Sequence, residues 1–314
     1  MDKEKVIAYK GFNKDLTCRG FQYEVGKEYE EKGISICNRG FHACPNPFDV
    51  IDFYGDINNR FCKVEQSGQI EKDEKKQVSS KIKVIAEIGF AGLFKAGVEW
   101  IKEITKPESI IEETKIGSSG YGAQIGSSGN YAKIGSSGDY AKIGSSGYGA
   151  QIGSSGDYAK IGSSGDDAKI GSSGNYAQIG SSGYGAQIGS SGYDAKIGSS
   201  GNYAKIGSSG NYAKIGSSGD SAKIGSSGYS AKIGSSGDGA QIDSTGEDSI
   251  ICCAGNESAV RAKKGSWITL SEWGYSKEKG RNVPVCVKTE YVDGEKIKED
   301  TWYKLVNGNF VEVL

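Results

Sequence analysis

Apolar and polar positions change rhythm twice along this chain. The first hundred or so residues mix short alternating runs with two stretches of helical spacing. From Ile116 to Gln241 the period becomes nine, and I-G-S-S-G-x-x-A-K/Q recurs fourteen times without an insertion. The last fifty residues return to alternation. In Ala-Lys-Ile of each repeat, alanine and isoleucine fall on one side of an extended chain and lysine on the other. That predicts a short strand with a small apolar inner face, with Gly-Ser-Ser-Gly supplying the bend. A flexible Gly/Ser linker would need neither an isoleucine at every ninth position nor an alanine two residues before it.

One repeat cannot fold alone. Burying an isoleucine gains about 2–3 kcal/mol, while ordering nine residues costs roughly 1 kcal/mol or more each. Stacked coils add hydrogen-bond ladders and a continuous apolar seam, so the array folds as a unit. Nine residues are too few to enclose a core, which leaves two or three repeats per coil. Tyr-Gly-Ala-Gln recurs at 121, 148 and 184, the first interval fitting three repeats per coil and the second fitting two. The outward residues decide. An 18-residue coil stacks Gln124, Lys142, Lys160, Gln178, Lys196, Lys214 and Lys232 in one ladder. The other ladder is Lys133, Gln151, Lys169, Gln187, Lys205, Lys223 and Gln241. A 27-residue coil would stack Lys142, Lys169, Lys196 and Lys223 unbroken, and like charges face to face destabilise a ladder. The expectation is a mainly β chain with a central parallel β-solenoid, a flattened roll of about two nonapeptides per coil.

The flanks read differently. Val6-Ile-Ala-Tyr9, Phe21-Gln-Tyr-Glu-Val25, Ile34-Ser-Ile-Cys37, Arg60 to Glu65 and Lys81 to Glu87 predict strands, with a turn at Lys10-Gly-Phe12. Glu71 to Gln77 reads as a charged connector. Asn46-Pro47 is a helix start, with Phe48, Ile51 and Tyr54 on one face. Phe90 to Ile104 predicts a second helix with Leu93, Gly97, Trp100 and Ile101 on one side, ended by Pro107, and Ser109-Ile-Ile-Glu-Glu-Thr114 leads into the repeats. After the array, Ile242 to Ile250 is a decayed repeat and Asn256 to Ala262 a further irregular coil. Gly265 to Trp273 and Val285 to Val292 predict strands, and Asp293-Gly294 and Asn307-Gly308 are hairpin signals. The division is an α+β domain over 1–108, the solenoid over 109–262 and an antiparallel β cap over 263–314, which shields the apolar end of the roll.

The net charge of -1 offers no basic field for nucleic acid, and no 18-residue apolar run spans a membrane. Seven cysteines without an export signal read as reduced thiols. The expected location is the cytoplasm, with a virion component as the alternative. Cys37, His42 and Cys44 are the best metal candidates, with Cys18 near. Their C-x4-H-x-C spacing lacks the paired knuckles of zinc motifs, so buried thiols are expected and no cofactor. The nonapeptide superficially resembles the calcium-binding β-roll repeat, but the aspartate position holds Gly122, Tyr131, Tyr140 and Gly149. A calcium-free roll is expected. The tyrosines before alanine, among them Tyr131, Tyr140, Tyr158, Tyr203 and Tyr212, either shield the coil edges or form an aromatic stripe. With Lys133, Lys142, Lys160, Lys205 and Lys214 they are the candidate binding residues.

Gly11-Phe-Asn-Lys-Asp-Leu-Thr-Cys-Arg-Gly-Phe-Gln-Tyr-Glu-Val-Gly26, Arg39-Gly-Phe-His-Ala-Cys44 and Asn46-Pro47 resemble an uncharacterised domain family of bacteria, prophages and phages. Lys263 to Leu270 and Asp300 to Leu305 resemble the C-terminal part of the same proteins, which carry short Gly-rich repeats between the flanks. The resemblance implies a phage or prophage origin and no catalytic residues. Tyr9-Lys-Gly-Phe12 and Arg39-Gly-Phe-His42 also resemble mono-ADP-ribosyltransferase segments, which implies an enzyme site at Arg39 and His42. No convincing Glu-x-Glu pair accompanies them, and Lys10 stands where those enzymes prefer arginine.

The leading functional expectation is a non-enzymatic elongated scaffold or binding protein. It would space its end domains or present repetitive faces to a protein or a repetitive polymer, and its oligomeric state stays open. The alternatives are a phage-encoded inhibitor of a host factor and an N-terminal enzyme.

Overall fold

The computed structural model describes residues 5–104 and 115–313. The chain divides into two compact units, Met1–Trp100 and Ile101–Leu314. The expected boundary at 108/109, Pro107 and the run from Ser109 to Thr114 lie outside the described residues.

In the first unit, β1 (Val6–Phe12), β6 (Arg60–Lys72), β7 (Gln77–Glu87) and β4 (Glu28–Glu30) form an antiparallel sheet in that order, with β5 (Phe41–Ala43) also on β7. β2 (Thr17–Cys18) and β3 (Phe21–Gln22) make a separate small hairpin. A 3-10 turn at Pro47–Asp49 runs into α1 (Val50–Phe53), and the Asn46 side chain accepts the Phe48 N–H as the expected cap. α2 (Gly89–Ile104) buries Leu93, Phe94, Val98 and Ile101. Its ring contacts Phe48–Phe94 and Phe61–Phe90 join it to the 3-10 turn and to β6. Gly97 allows the approach, since a Cβ there would meet the Phe48 ring at 2.6 Å.

Four local readings are corrected here. Lys10-Gly-Phe12 continues β1 instead of turning. The strand expected at Phe21 to Val25 stops at Gln22. The charged connector belongs mostly to the long β6–β7 hairpin, whose turn is closed by Asp73 N–H to the Lys76 carbonyl. Ile34 to Cys37 alternates like a strand but is a turn, with Ser35 bridged to Arg39 and Cys37 at φ +63°.

The second unit is a parallel β-solenoid of about nine coils over residues 115–270, running from β8 (Lys115–Ser118) through β24 (Ala259–Ala262). Successive strands alternate between two sheets, and each pairs with the strand 18 residues away: Lys133 with Gln151, Lys142 with Lys160. Two repeats therefore make one coil, and both expected ladders form. Alanine and isoleucine point inward and are buried from Ile125 onward, with Ile116 and Ala123 of the first repeat partly buried. The strand itself is Lys/Gln-Ile-Gly-Ser, one residue downstream of the expected phase, so the first serine of each repeat also faces the core. The bend is displaced as well. Positive φ falls on the residue before alanine, at Tyr140, Tyr158, Asp167 and Tyr176 or at Gly122, Gly149 and Gly185, and not on the repeat's own glycines.

Those glycines serve two other purposes. The second one sits where successive coils nearly touch: a Cβ on Gly174 would lie 1.9 Å from the Gly156 carbonyl oxygen. The first one points outward. On the second sheet (the strands starting at Gln124, Lys142 and their successors) a Cβ on Gly144, Gly162, Gly180 or Gly198 would meet nothing within 4 Å. On the first sheet the equivalent glycines, Gly135 through Gly225, are buried. One repeated phrase thus builds two unlike faces.

The last strands extend both sheets. β25 (Trp267–Ser276) joins the second sheet in parallel and β26 (Arg281–Tyr291) pairs back on it. β27 (Trp302–Val306) joins the first sheet and pairs with β28 (Asn309–Val313) through the expected Asn307-Gly308 turn. Asp293-Gly294 does not close a hairpin between its neighbours. It opens the crossing from one sheet to the other, held by Asp293 accepting the N–H groups of Glu295, Lys296 and Ile297. Asp243 and Arg261 form a two-pronged ion pair at 2.8 and 2.6 Å, with Arg261 over the Trp302 ring.

Candidate functional sites

Among the described residues, each unit carries a concave surface that gathers several of the sequence candidates. In the first unit the segments around Lys10, Cys18–Phe21 and Arg39–Cys44 converge on a cleft of about 520 Å³. The structure brings Arg39, His42, Cys37 and Cys44 to its walls but turns their reactive groups toward the protein. His42 Nε2 accepts the Cys37 N–H at 2.9 Å, so Nδ1 carries the proton and donates to the Gly40 carbonyl at 3.2 Å. Burial, then the Lys10 charge, lowers the imidazole pKa and keeps it neutral. Arg39 donates from Nε and Nη2 to Glu31. Cys37 Sγ accepts from Lys76 Nζ at 2.9 Å, and burial pushes the Cys44 thiol up to about 12. Among the described residues no group of three or more His, Cys, Asp or Glu side chains is placed to hold a metal.

The floor of the cleft holds a residue that sequence reasoning noted only as a departure from another family. Lys10 is 6% exposed, and its ammonium donates to the His42 carbonyl at 2.9 Å. The nearby Cys18 Sγ lies 2.9 Å from the Tyr54 hydroxyl. Phe21, Tyr23 and Tyr29 form an edge-to-face cluster on one wall, with ring centroids 4.8–5.4 Å apart.

In the solenoid the candidate binding residues separate onto different surfaces. Lys142, Lys160 and Lys214 stand on the second sheet, Lys133 and Lys205 on the first. Tyr140, Tyr158 and Tyr212 belong to one coil edge, together with Tyr121, Tyr176, Tyr193 and Tyr229, in an unbroken ladder of neighbouring rings. Tyr131 and Tyr203 lie on the opposite edge, paired with Tyr148 and Tyr184. Tyr140, Tyr158 and Tyr176 stack face to face at 4.9 Å. Their faces are spent on one another, which favours edge packing over an aromatic platform. That packing also offsets the roughly 1–2 kcal/mol that a left-handed backbone costs a tyrosine.

The first variable position has an explanation too. Where the first residue of the variable pair is Asn or Asp, its side chain accepts the N–H of the residue 18 positions on: Asn130 from Tyr148, Asp157 from Asn175, Asn175 from Tyr193. These side chains continue the backbone ladder through the turns.

The outer surface of the second sheet is a trough of about 1020 Å³. Its floor is the open glycine column, and one wall is Gln124, Lys142, Lys160, Gln178, Lys196 and Lys214. In register beyond Lys232 the same column becomes Ile250, Trp267 and Tyr291. Trp267 is half exposed, with its ring 5.1 Å from that of Tyr291. The lysine wall therefore ends on an aromatic platform. Among the described residues no helix is long and apolar enough to cross a membrane.

Residues 6–96 match the model of a domain of unknown function, DUF7666. No curated protein and no solved structure matches the chain.

Proposed function

We propose that the solenoid is a binding module whose second face holds a linear, carboxylate-bearing polysaccharide along the coil axis. The observation that carries this is the open glycine column. Nothing in the coil requires a missing side chain at Gly144, Gly162, Gly180 or Gly198. Every repeat of that face nevertheless keeps the position bare, and the result is a continuous trough beside a lysine wall.

The chemistry of the face selects the polymer. Strand N–H and C=O groups are consumed by the ladders between coils, as in Lys160 N–H to the Ala141 carbonyl. An extended peptide lying on the face would find no backbone partners, whereas a sugar chain needs only side-chain donors. Lys142, Lys160, Lys196 and Lys232 supply charge along one side, with Lys214 paired to Asp194 at 2.7 Å between them. The coil rise of about 4.8 Å is close to the length of one extended pyranose unit. Each exposed lysine–carboxylate contact contributes about 0.2–1 kcal/mol, so recognition depends on many acting together. Trp267 and Tyr291 offer a stacking surface where the trough ends.

Affinity electrophoresis of the full chain in gels containing polygalacturonate or neutral dextran tests this reading. Retardation is expected only in polygalacturonate, weakening with salt. The triple variant Gly162→Val, Gly180→Val, Gly198→Val fills the trough and is expected to keep its circular dichroism and lose retardation. Equal mobility in both gels, or undiminished retardation of the folded triple variant, overturns it.

A further inference from the structure

The cleft of the first unit contains an electrostatic imbalance that the solenoid reading does not use. Lys10 is buried, and the groups that act on its ammonium are the Cys18 and Cys44 thiols and the repelling Arg19 guanidinium, with no carboxylate among them. Buried charges are ordinarily paired. The two carboxylates on the cleft, Glu30 and Glu31, are engaged at its rim with Lys81 and Arg39. Arg19 Nη1 donates to the Cys37 carbonyl, and Lys76 Nζ to the Cys37 thiol. Among the described residues, three cationic side chains, Lys10, Arg19 and Lys76, thus line one cavity without an acidic partner there.

Their placement is enforced by the fold. Lys10 is fixed in β1, whose register puts it opposite Cys62. Arg19 and Gly20, at φ +50° and +78°, form the two-residue turn of the β2–β3 hairpin. That turn presents Arg19 beside Phe21, which is 48% exposed and packed edge-on against Tyr23 and Tyr29. The cavity thus combines a cationic floor with an aromatic wall. At about 520 Å³ it is within the range of small-molecule sites.

We infer that this cleft binds a small organic anion with a planar body, its anionic head at Lys10 and Arg19 and its ring against Phe21 and Tyr29. The head is a carboxylate or a phosphate; both accept charged N–H donors. Burial lowers the pKa of Lys10, so its ammonium loses its proton at a lower pH than an exposed lysine does. An arriving anion stabilises the ammonium, and binding takes up a proton. Uptake is greatest at pH between the lowered value of the free protein and the higher value in the complex, and it vanishes below and above both. The other groups facing Lys10 and His42 are Cys18, Cys44, Arg19 and Lys76.

The test is isothermal titration of the full chain with 2-naphthoate and 1-naphthyl phosphate, with neutral 2-naphthamide as control, in buffers of different ionisation enthalpy. One or both anions should bind at least about tenfold more tightly than the amide, and comparing the two assigns the head group. Lys10→Met places an uncharged chain of similar length in the buried position and should abolish both that preference and the proton uptake while keeping the melting temperature. Arg19→Gln, at the exposed turn, should weaken anion binding without touching the core. Equal affinity for anions and amide, or Lys10→Met binding like the wild type, overturns the inference.

Discussion

Two alanine substitutions six residues apart should have opposite consequences. At Gly174 an added Cβ would stand 1.9 Å from the Gly156 carbonyl oxygen and 2.5 Å from its carbon. Carbon–oxygen contacts settle at about 3.3–3.6 Å, so the two coils must part by more than about 1 Å. Four hydrogen bonds cross that gap within the same turn. They are Ser173 N–H to Ser154 O at 3.0 Å, Tyr158 N–H to Asn175 O at 2.8 Å, Gln178 N–H to Ala159 O at 2.8 Å and Asn175 N–H to Asp157 Oδ1 at 2.7 Å. At about 0.5–1.5 kcal/mol each, losing two or three gives a cost of roughly 2–4 kcal/mol. Gly180→Ala meets nothing within 4 Å and stiffens the unfolded chain, which stabilises by about 0.4–1 kcal/mol. Urea unfolding followed by circular dichroism gives the two midpoints. Hydrogen exchange shows whether Gly174→Ala loosens the coils on either side, as nearest-neighbour coupling requires. Equal midpoints for the two variants would refute the close-approach reasoning.

Other substitutions probe the core and the cap. The hydroxyls of Ser154, Ser172 and Ser190 are buried without a protein partner, so Ser172→Ala should leave the urea midpoint unchanged or raise stability by up to about 1 kcal/mol; a loss larger than that contradicts the assignment. Asp243→Ala leaves Arg261 without its two-pronged partner and should cost about 1–3 kcal/mol, seen as faster exchange in the last coils and β27. Asp293 has its pKa lowered by the backbone N–H groups of Glu295 and Ile297. Its folded value lies below the unfolded 3.8, so its contribution is complete above 3.8 and disappears as pH falls through the folded value. Amide exchange of residues 293–297 should accelerate in that acid window, and Asp293→Asn should remove the dependence.

The coil was legible because its determinants are local and repeated. Alternation at Ala-x-Ile set the inner face, and the mixing of Lys142 and Lys160 with Gln124 and Gln178 distinguished 18 residues from 27. The phase was missed by one residue because the inward serine is polar and does not announce itself as core. The turn was misplaced because glycine was assumed to take the left-handed backbone that Tyr140 and Tyr158 adopt. The difference between the two faces could not be read at all, since the same nine residues build both. In the first unit, Ile34-Ser-Ile-Cys37 has a strand's pattern, but Cys37 N–H bonds to His42 Nε2 and Asn38 N–H to the Ser35 carbonyl, contacts that alternation does not encode. Arg39, His42, Cys37 and Cys44 were visible as a cluster because they are close in sequence. Arg19, Tyr54 and Lys76 reach the same cleft from three other elements, which only the folded chain assembles.

A coil made of two identical phrases gives the molecule a parity. Insertion or loss of one nonapeptide turns everything downstream by half a coil. Each later lysine would change faces and the seven-ring edge would break into two shorter runs, while the closing strands, turning with the last coils, would keep their own pairing. Insertion or loss of two leaves every face, edge and junction where it was. Faces and edges therefore keep their alignment from one end of the array to the other only when its length changes in steps of eighteen residues.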